Sequence, residues 1–233
     1  MDEIKRITGQ IVGIHEEKIS LEESFLDFSR RFASMEGTAV FMSGGDLDCA
    51  RYHILGAKPW LTLKGRNRSM TITSSNQSID FKADPFDMLH QILNACRLND
   101  LDMVSSDLTQ PIAAGLFGYL SYDLKDVLEK LPRTSIDDLR LPHLFFFAPS
   151  IIVVHDKADD STRLCIPKRD ISGQSNLDKD LKTFKQILSA KTLKKQSFSG
   201  DSDGFKSNFT KTGYMSAVKK IKEYIAAGDV YQV

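Results

Sequence analysis

The chain has 233 residues, 41% hydrophobic and 27% charged, the composition of a globular protein long enough for one large core or two modest domains. Lys plus Arg and Asp plus Glu both number 31, so the formal net charge is zero, which argues against a nucleic-acid partner because phosphate binding needs excess positive charge. The charged start, MDEIKRITGQIVGIHEEK, lacks the apolar run of a signal peptide, and no stretch of about 18 apolar residues marks a membrane span, so a cytoplasmic protein with no membrane partner is expected.

Apolar side chains at Leu21, Phe25, Phe28 and Phe32 predict a helix over 21–34, with Ser20 as its N-cap, Glu23 closing a capping box and Gly37 ending the region. Short strands follow at 38–42, 52–55, 61–64 and 70–73. Turns at Gly44-Gly45 and Lys58-Pro59 separate them, and Asn67-Arg68 joins the last two as a hairpin. Asp84-Pro85 opens a second helix, because proline at the first helical position gives up no hydrogen bond. A loop is expected at 104–110, then an apolar strand at 112–122 interrupted by Gly115 and Gly118, then a short helix at 124–130 and a loop through Pro132 and TSIDD. Residues 144–155 are strongly β-prone, with Pro149 marking a bend or an edge, and 162–166 pairs back across KADDS. A Lys-rich amphipathic helix at 177–188 precedes an exposed linker, SFSGDSDGFKSNFTKTG. Tyr214, Ala217, Val218, Ile221, Tyr224 and Ile225 keep helical spacing, with Thr210 or Thr212 as cap and Gly228 as stop. The chain reaches Val233 inside a strand-like run, VYQV, which suggests truncation of a longer chain.

Patterns of conventional catalysis are absent: there is no GxSxG, HExxH, P-loop or Rossmann glycine fingerprint. Cys49, Cys96 and Cys165 form no CxxC or Cys/His cluster, which excludes a zinc site and predicts three buried free thiols. His15, His53, His90, His143 and His155 are scattered and read as surface or structural histidines. Asp137 and Asp138 are adjacent and point in different directions, which suits a solvated loop. The glycines of Gly115-Leu-Phe-Gly-Tyr119 read as close packing, or else as the wall of a ligand pocket. Ser43-Gly44-Gly45 is a tight turn, or presents the Ser43 hydroxyl and backbone amides to a small polar ligand. Arg51 forms a surface ion pair, or clamps a carboxylate through its bidentate fork.

Four segments together resemble the N-terminal part of the chorismate-utilising synthase large subunits, the aminodeoxychorismate synthase and anthranilate synthase component I family. They are AVFMSGGDLDCARYHILGAKPW (39–60), DPFDMLHQIL (84–93), GLFGYLSYDLKDVLEKLP with DDLRLPHLFFF (115–147), and SNFTKTGYMSAVKKIKEYIAAGDVYQV (207–233). The last is similar to the entry into the chorismate-binding domain. The resemblance implies an α+β fold, an antiparallel β-sandwich with flanking helices, truncated before the rest of that domain. It divides the chain into an N-terminal domain, 1–200, and a linker with the first helix of the chorismate-binding domain, 201–233.

Full-length members of the family bind chorismate and Mg²⁺ through residues that would lie after Val233, and use ammonia from a glutamine amidotransferase subunit. No catalytic residue and no metal ligand is therefore assigned here. The resemblance also implies a site for a tryptophan-like amino acid at Ser43, Cys49, Ala50, Arg51 and Tyr52. Met42 stands where the family has the glutamate of LLES, and Lys58 where it has an aspartate before proline. GLFGYLSYDLKDVLEKLP is closer to the aminodeoxychorismate branch. Anthranilate synthase component I and a non-catalytic tryptophan-binding or subunit-docking module are the alternatives.

Overall fold

The computed structural model describes residues 2–45, 47, 49–74, 77–97, 112–132, 136–171, 174–190, 197, 199–200 and 206–232; the loop expected at 104–110 lies outside them. The chain divides into two compact units, Met1–Leu193 and Lys194–Val233. In the first, α1 (Asp2–Thr8), β1 (Gln10–Ile19), α2 (Phe25–Ser29), β2 (Ala39–Met42), β3 (Tyr52–Arg66), β4 (Ser69–Ser74) and β5 (Gln77–Lys82) lead to α3 (Pro85–Ala95). Then come β6 (Phe117–Leu120), α4 (Lys125–Leu128), β7 (Leu144–Asp156), β8 (Ser161–Ile171), β9 (Gln174–Ser175) and α5 (Leu177–Ser189). The second unit contains α6 (Lys211–Ala227).

All strand pairings are antiparallel, in the order β1-β8-β7-β3-β4-β5, with β2 on the first part of β3, β6 on the first part of β7 and β9 on β8. The α+β class is as expected, but the separate layers of a sandwich are not formed among the described residues. The nine strands join one sheet because β3 and β7, 15 and 13 residues long, are long enough to carry different partners at their two ends.

Both faces of this sheet are covered. Ile152 and Val154 of β7 pack with Ile4 and Ile7 of α1 and Met88 and Ile92 of α3. Their neighbours Ile151 and Val153 face the other way, onto Phe25, Phe28, Phe32 and Phe184. Period-two alternation with a core on each side explains why 144–155 reads as a continuous apolar run.

Lys58-Pro59, expected as a turn, is a bulge inside β3. The register against β7 shifts between Pro59 and Leu61, and Lys58 has φ 57°. One extra residue reverses the inward–outward alternation. Leu55 and Ala57 therefore face the phenylalanine cluster, while Leu61 and Leu63 face the opposite core. Pro59 sits opposite Pro149. Neither has an N–H to donate, so the two prolines meet where the ladder is already interrupted. Pro149 thus lies at a local edge, as expected, where the far side of β7 changes partner from β6 to β8.

The bulge also serves α5. Lys58 Nζ lies 2.8 Å from Asp180 of α5 and donates to Thr183 Oγ1 at 2.7 Å. Asp180, 2% exposed, also accepts from Arg169 Nη2 at 3.1 Å and Asn176 Nδ2 at 2.5 Å. Burial pushes the Arg169 guanidinium below its usual value, while Asp180 pulls it back up.

Several local expectations are corrected. The first phenylalanine helix starts later, at Phe25, with Ser24 as N-cap: Ser24 Oγ accepts from the Asp27 N–H at 3.1 Å. Glu23, expected in a capping box with Ser20, is held instead by Arg31 at 2.6 Å. The helix tightens into a 3₁₀ turn over Arg30–Phe32. The charged N-terminus hides α1 and β1, whose Ile4, Ile7, Ile11 and Ile14 are all buried. β5 was not anticipated either. The strand expected at 112–122 is confined to Phe117–Leu120. Residues 230–232 form no strand. The cysteines are free, as expected, but Cys49 is exposed, Cys96 half-buried and only Cys165 fully buried.

The hairpin at Asn67-Arg68 forms, with Asn67 at φ 52°, a left-handed conformation that asparagine tolerates. Asp84 caps α3 with Pro85 in its first turn. Thr210, rather than Thr212, caps α6 by accepting from the Gly213 N–H at 3.1 Å, and Gly228 ends it at φ 80°.

The two glycines of the 115–119 run separate. A Cβ at Gly118 would overlap the carbonyl oxygen of Phe145, so this glycine allows β6 to lie against β7. A Cβ at Gly115 would meet nothing. Gly118→Ala is expected to lose about 1–3 kcal/mol of stability, the usual cost of overpacking, as read by urea denaturation.

Candidate functional site

The five residues singled out from the sequence lie where β2 ends, β3 begins and β7 ends. Ser43 stitches the first two together: its N–H donates to His53 Nδ1 at 3.1 Å and its Oγ to the Tyr52 carbonyl at 2.8 Å. Gly45, at φ 71°, supplies the left-handed residue of the connection. Cys49 and Ala50 form a tight turn in which the Ala50 N–H donates to the Leu47 carbonyl at 2.8 Å and the Arg51 N–H to the Cys49 carbonyl at 3.0 Å.

Arg51 closes its fork on Asp156, the last residue of β7. Nε donates to Oδ1 at 2.9 Å and Oδ2 at 3.0 Å, and Nη2 to Oδ2 at 2.6 Å. The guanidinium also lies 4.9 Å from the Tyr52 ring centroid. The Arg51 fork holds the Asp156 carboxyl below the usual carboxylate range, helped by the Ala158 N–H, and Asp156 in turn raises Arg51. The Lys157 N–H donates to the Arg51 carbonyl at 3.0 Å. The structure therefore gathers Ser43, Cys49, Ala50, Arg51 and Tyr52 into one patch, with the groups that could grip a polar ligand, the Ser43 hydroxyl and the Arg51 fork, engaged within the chain. Asp137 is likewise an ion-pair partner, of Arg66.

Beside this patch, on the phenylalanine side of the sheet, lies a cavity of about 770 Å³ whose lining includes Lys18, Phe25, Met42, His53, His155 and Asp160. None of the five sequence-named residues lines it. His53 and His155 are directly opposite each other across β3 and β7, with rings stacked at 5.8 Å and Phe25 tilted over both at 5.5 and 5.9 Å. His155 Nδ1 shares a hydrogen with Thr162 Oγ1 at 2.9 Å, and its Nε2 lies 3.8 Å from Asp160. Nothing in local spacing could have paired these two histidines; only the strand register brings them together.

Burial pushes His53 below the usual imidazole value, and the neighbouring His155 and Lys157 push in the same direction. The unfolded chain therefore binds a proton at this position more readily than the folded one. The contribution of neutral His53 is fully present above about pH 6.5 and is lost as pH falls through the lowered folded value. Denaturation midpoints should fall as pH is lowered below about 6.5, and His53→Gln should flatten that fall.

Among the described residues no group of three or more His, Cys, Asp or Glu side chains is placed to hold a metal ion. Among the same residues no helix is long and apolar enough to cross a membrane.

The sequence profile of the family described as chorismate binding enzyme matches residues 51–233. Aminodeoxychorismate synthase component 1 of Bacillus subtilis (strain 168) is 30% identical over 190 residues, 78% of this chain and 38% of that protein. Anthranilate synthase component 1 of Cereibacter sphaeroides is 31% identical over 204 residues, 82% of this chain and 40% of that protein. The chain thus spans about two fifths of the length of these relatives. In the solved structure of anthranilate synthase component I from Streptococcus pneumoniae TIGR4, the same fold recurs with a TM-score of 0.50 at 18% identity, over 80% of this chain and 40% of that one. With a family match running from the start of β3 through α6, the chain belongs to the chorismate-binding enzymes.

Proposed function

We propose that this chain works as the N-terminal portion of an aminodeoxychorismate synthase component I, the subunit that aminates chorismate to 4-amino-4-deoxychorismate with glutamine-derived ammonia. The observation that supports a synthase of this family is the match over residues 51–233, joined by 30% identity to an aminodeoxychorismate synthase component 1 and 31% to an anthranilate synthase component 1. The segment at 115–132, in which Gly118 lets β6 pack on β7, is the part of the resemblance that favours this branch over anthranilate synthase. In this reading chorismate is the substrate, Mg²⁺ the cofactor and a glutamine amidotransferase the partner of the full-length protein. No step through Mg²⁺ is assigned to the described residues.

The test is genetic rescue with the complete gene. Growth of a 4-aminobenzoate auxotroph, without growth of a tryptophan auxotroph, is the expected result. The reverse pattern would assign the chain to anthranilate synthase.

A second element of the proposal is a tryptophan-like amino acid at Ser43, Cys49, Ala50, Arg51 and Tyr52, favoured by their convergence on one patch. A ligand carboxylate there would compete with Asp156 for the Arg51 fork. Calorimetry with tryptophan should show saturable heat, and absence of heat at millimolar ligand would remove this element while leaving the first untouched.

A further inference from the structure

The sheet opens a wedge where β8 leaves β7. Residues 152–156 of β7 pair with β8 and residues 144–147 with β6. Between them, the stretch around Pro149 has β3 on one side and no paired strand on the other among the described residues. α3 and the segment before β6 close over this wedge and leave a cavity of about 150 Å³, with Ile11, Trp60, Ile92, Leu116, Pro149 and Pro167 in its wall. Cys96 and Gly115 also line it. Burial pushes the Cys96 thiol up to about 11, so it is uncharged at neutral pH.

Two features set this cavity apart from a packing defect. First, Trp60 is 7% exposed and its Nε1 has no hydrogen-bond partner among the described residues, nor has Nε of Arg169, whose guanidinium lies 4.9 Å from the Trp60 ring centroid. Both orphaned atoms are N–H donors, and a buried donor without an acceptor is destabilising until something accepts from it. Second, the charge next to the Trp60 indole is unbalanced. Arg169 and Lys58 share the single carboxylate of Asp180 among the described residues, which leaves one positive charge in excess at a largely buried cluster. An apolar hollow of about 150 Å³ takes one benzene-sized ring. An unsatisfied donor in its wall, Trp60 Nε1, with the Arg169 guanidinium beside that indole, calls for an anionic acceptor on the ring.

We propose that this cavity binds a small monocyclic carboxylate of benzoate size, its ring held among the isoleucine, leucine and proline side chains and its carboxylate against Trp60 and Arg169. The site is separate from the patch at Ser43 and Arg51 and does not depend on the synthase assignment.

Trp60 is the sole tryptophan of the chain, so its fluorescence reports on the cavity directly. The chain would be titrated with benzoate and, as a neutral ring of similar size, benzyl alcohol. Gly115→Leu is the blocking variant: a side chain there meets open space and its backbone is not left-handed, so leucine enters the hollow without strain. Benzoate should give a saturable change in emission, benzyl alcohol should bind at least about tenfold more weakly, and Gly115→Leu should abolish the response while its circular dichroism and melting match the parent. Trp60→Phe, followed by calorimetry, keeps a ring but removes the N–H, and should weaken benzoate more than benzyl alcohol, whose hydroxyl accepts from the N–H without a charge. No saturable response to benzoate, an undiminished response in folded Gly115→Leu, or equal affinity for the two rings would each overturn the proposal.

Discussion

Replacing Asp180 with alanine should lower the unfolding free energy by about 3–5 kcal/mol, the range for breaking a buried ion pair from one side. The carboxylate is 2% exposed and is the meeting point of Lys58, Arg169 and Asn176. Its removal leaves the Arg169 guanidinium, only 7% exposed, without its counter-charge. It also releases the first turn of α5 from the bulge in β3. Replacing the whole cluster, with Lys58→Met, Arg169→Met and Asp180→Leu together, should recover much of the loss, because apolar side chains carry no desolvation penalty. Urea denaturation of the two variants measures the difference, and equal stability of parent and Asp180→Ala would show that the cluster does not fasten α5.

Phe32→Ala should be as damaging, at about 3–5 kcal/mol, through a different cause: lost burial plus the cavity left behind. Phe32 is fully buried, with its ring 5.5 Å from Phe28 and 6.2 Å from Phe184, so it joins the 3₁₀ turn after α2 to α5 across one face of the sheet. Leu26 lies in the same helical segment and is 47% exposed, so Leu26→Ala should change stability by about 0.5 kcal/mol or less. The contrast between these neighbours, measured in one denaturation series, isolates burial from helix propensity.

The candidate patch was legible in the sequence as a set of residues but not as a chemistry. Ser43 and Arg51 are where a polar ligand could be gripped, yet the Ser43 hydroxyl already serves the Tyr52 carbonyl and the Arg51 fork already serves Asp156. Asp156 is 105 residues away in sequence, and no local pattern announces it as a partner. The same holds for the stacked histidines, which looked scattered because cross-strand neighbours carry no fixed spacing. Both readings of the 115–119 glycines apply, one to each: Gly118 lies under a carbonyl and serves close packing, while Gly115 lies beside open space and lines the wedge cavity, a division that the sequence does not show.

Local chemistry was sufficient for α3, α5, α6 and the Asn67-Arg68 and 157–160 turns, because a cap, an N-terminal proline, a left-handed glycine or a turn residue acts within about four positions of itself. It also carried the family resemblance, which is a property of residue order alone. It was insufficient at Lys58-Pro59, where the same residues that make a turn in a short peptide make a bulge in a strand paired with β7 before and after it. Nor could it find α1 and β1, whose charged outer faces mask four buried isoleucines. Which face of a strand is inside, which proline is tolerated, and which carboxylate an arginine meets depend on the strand lying opposite. That neighbour is supplied by pairing between distant segments, and only the folded chain decides it.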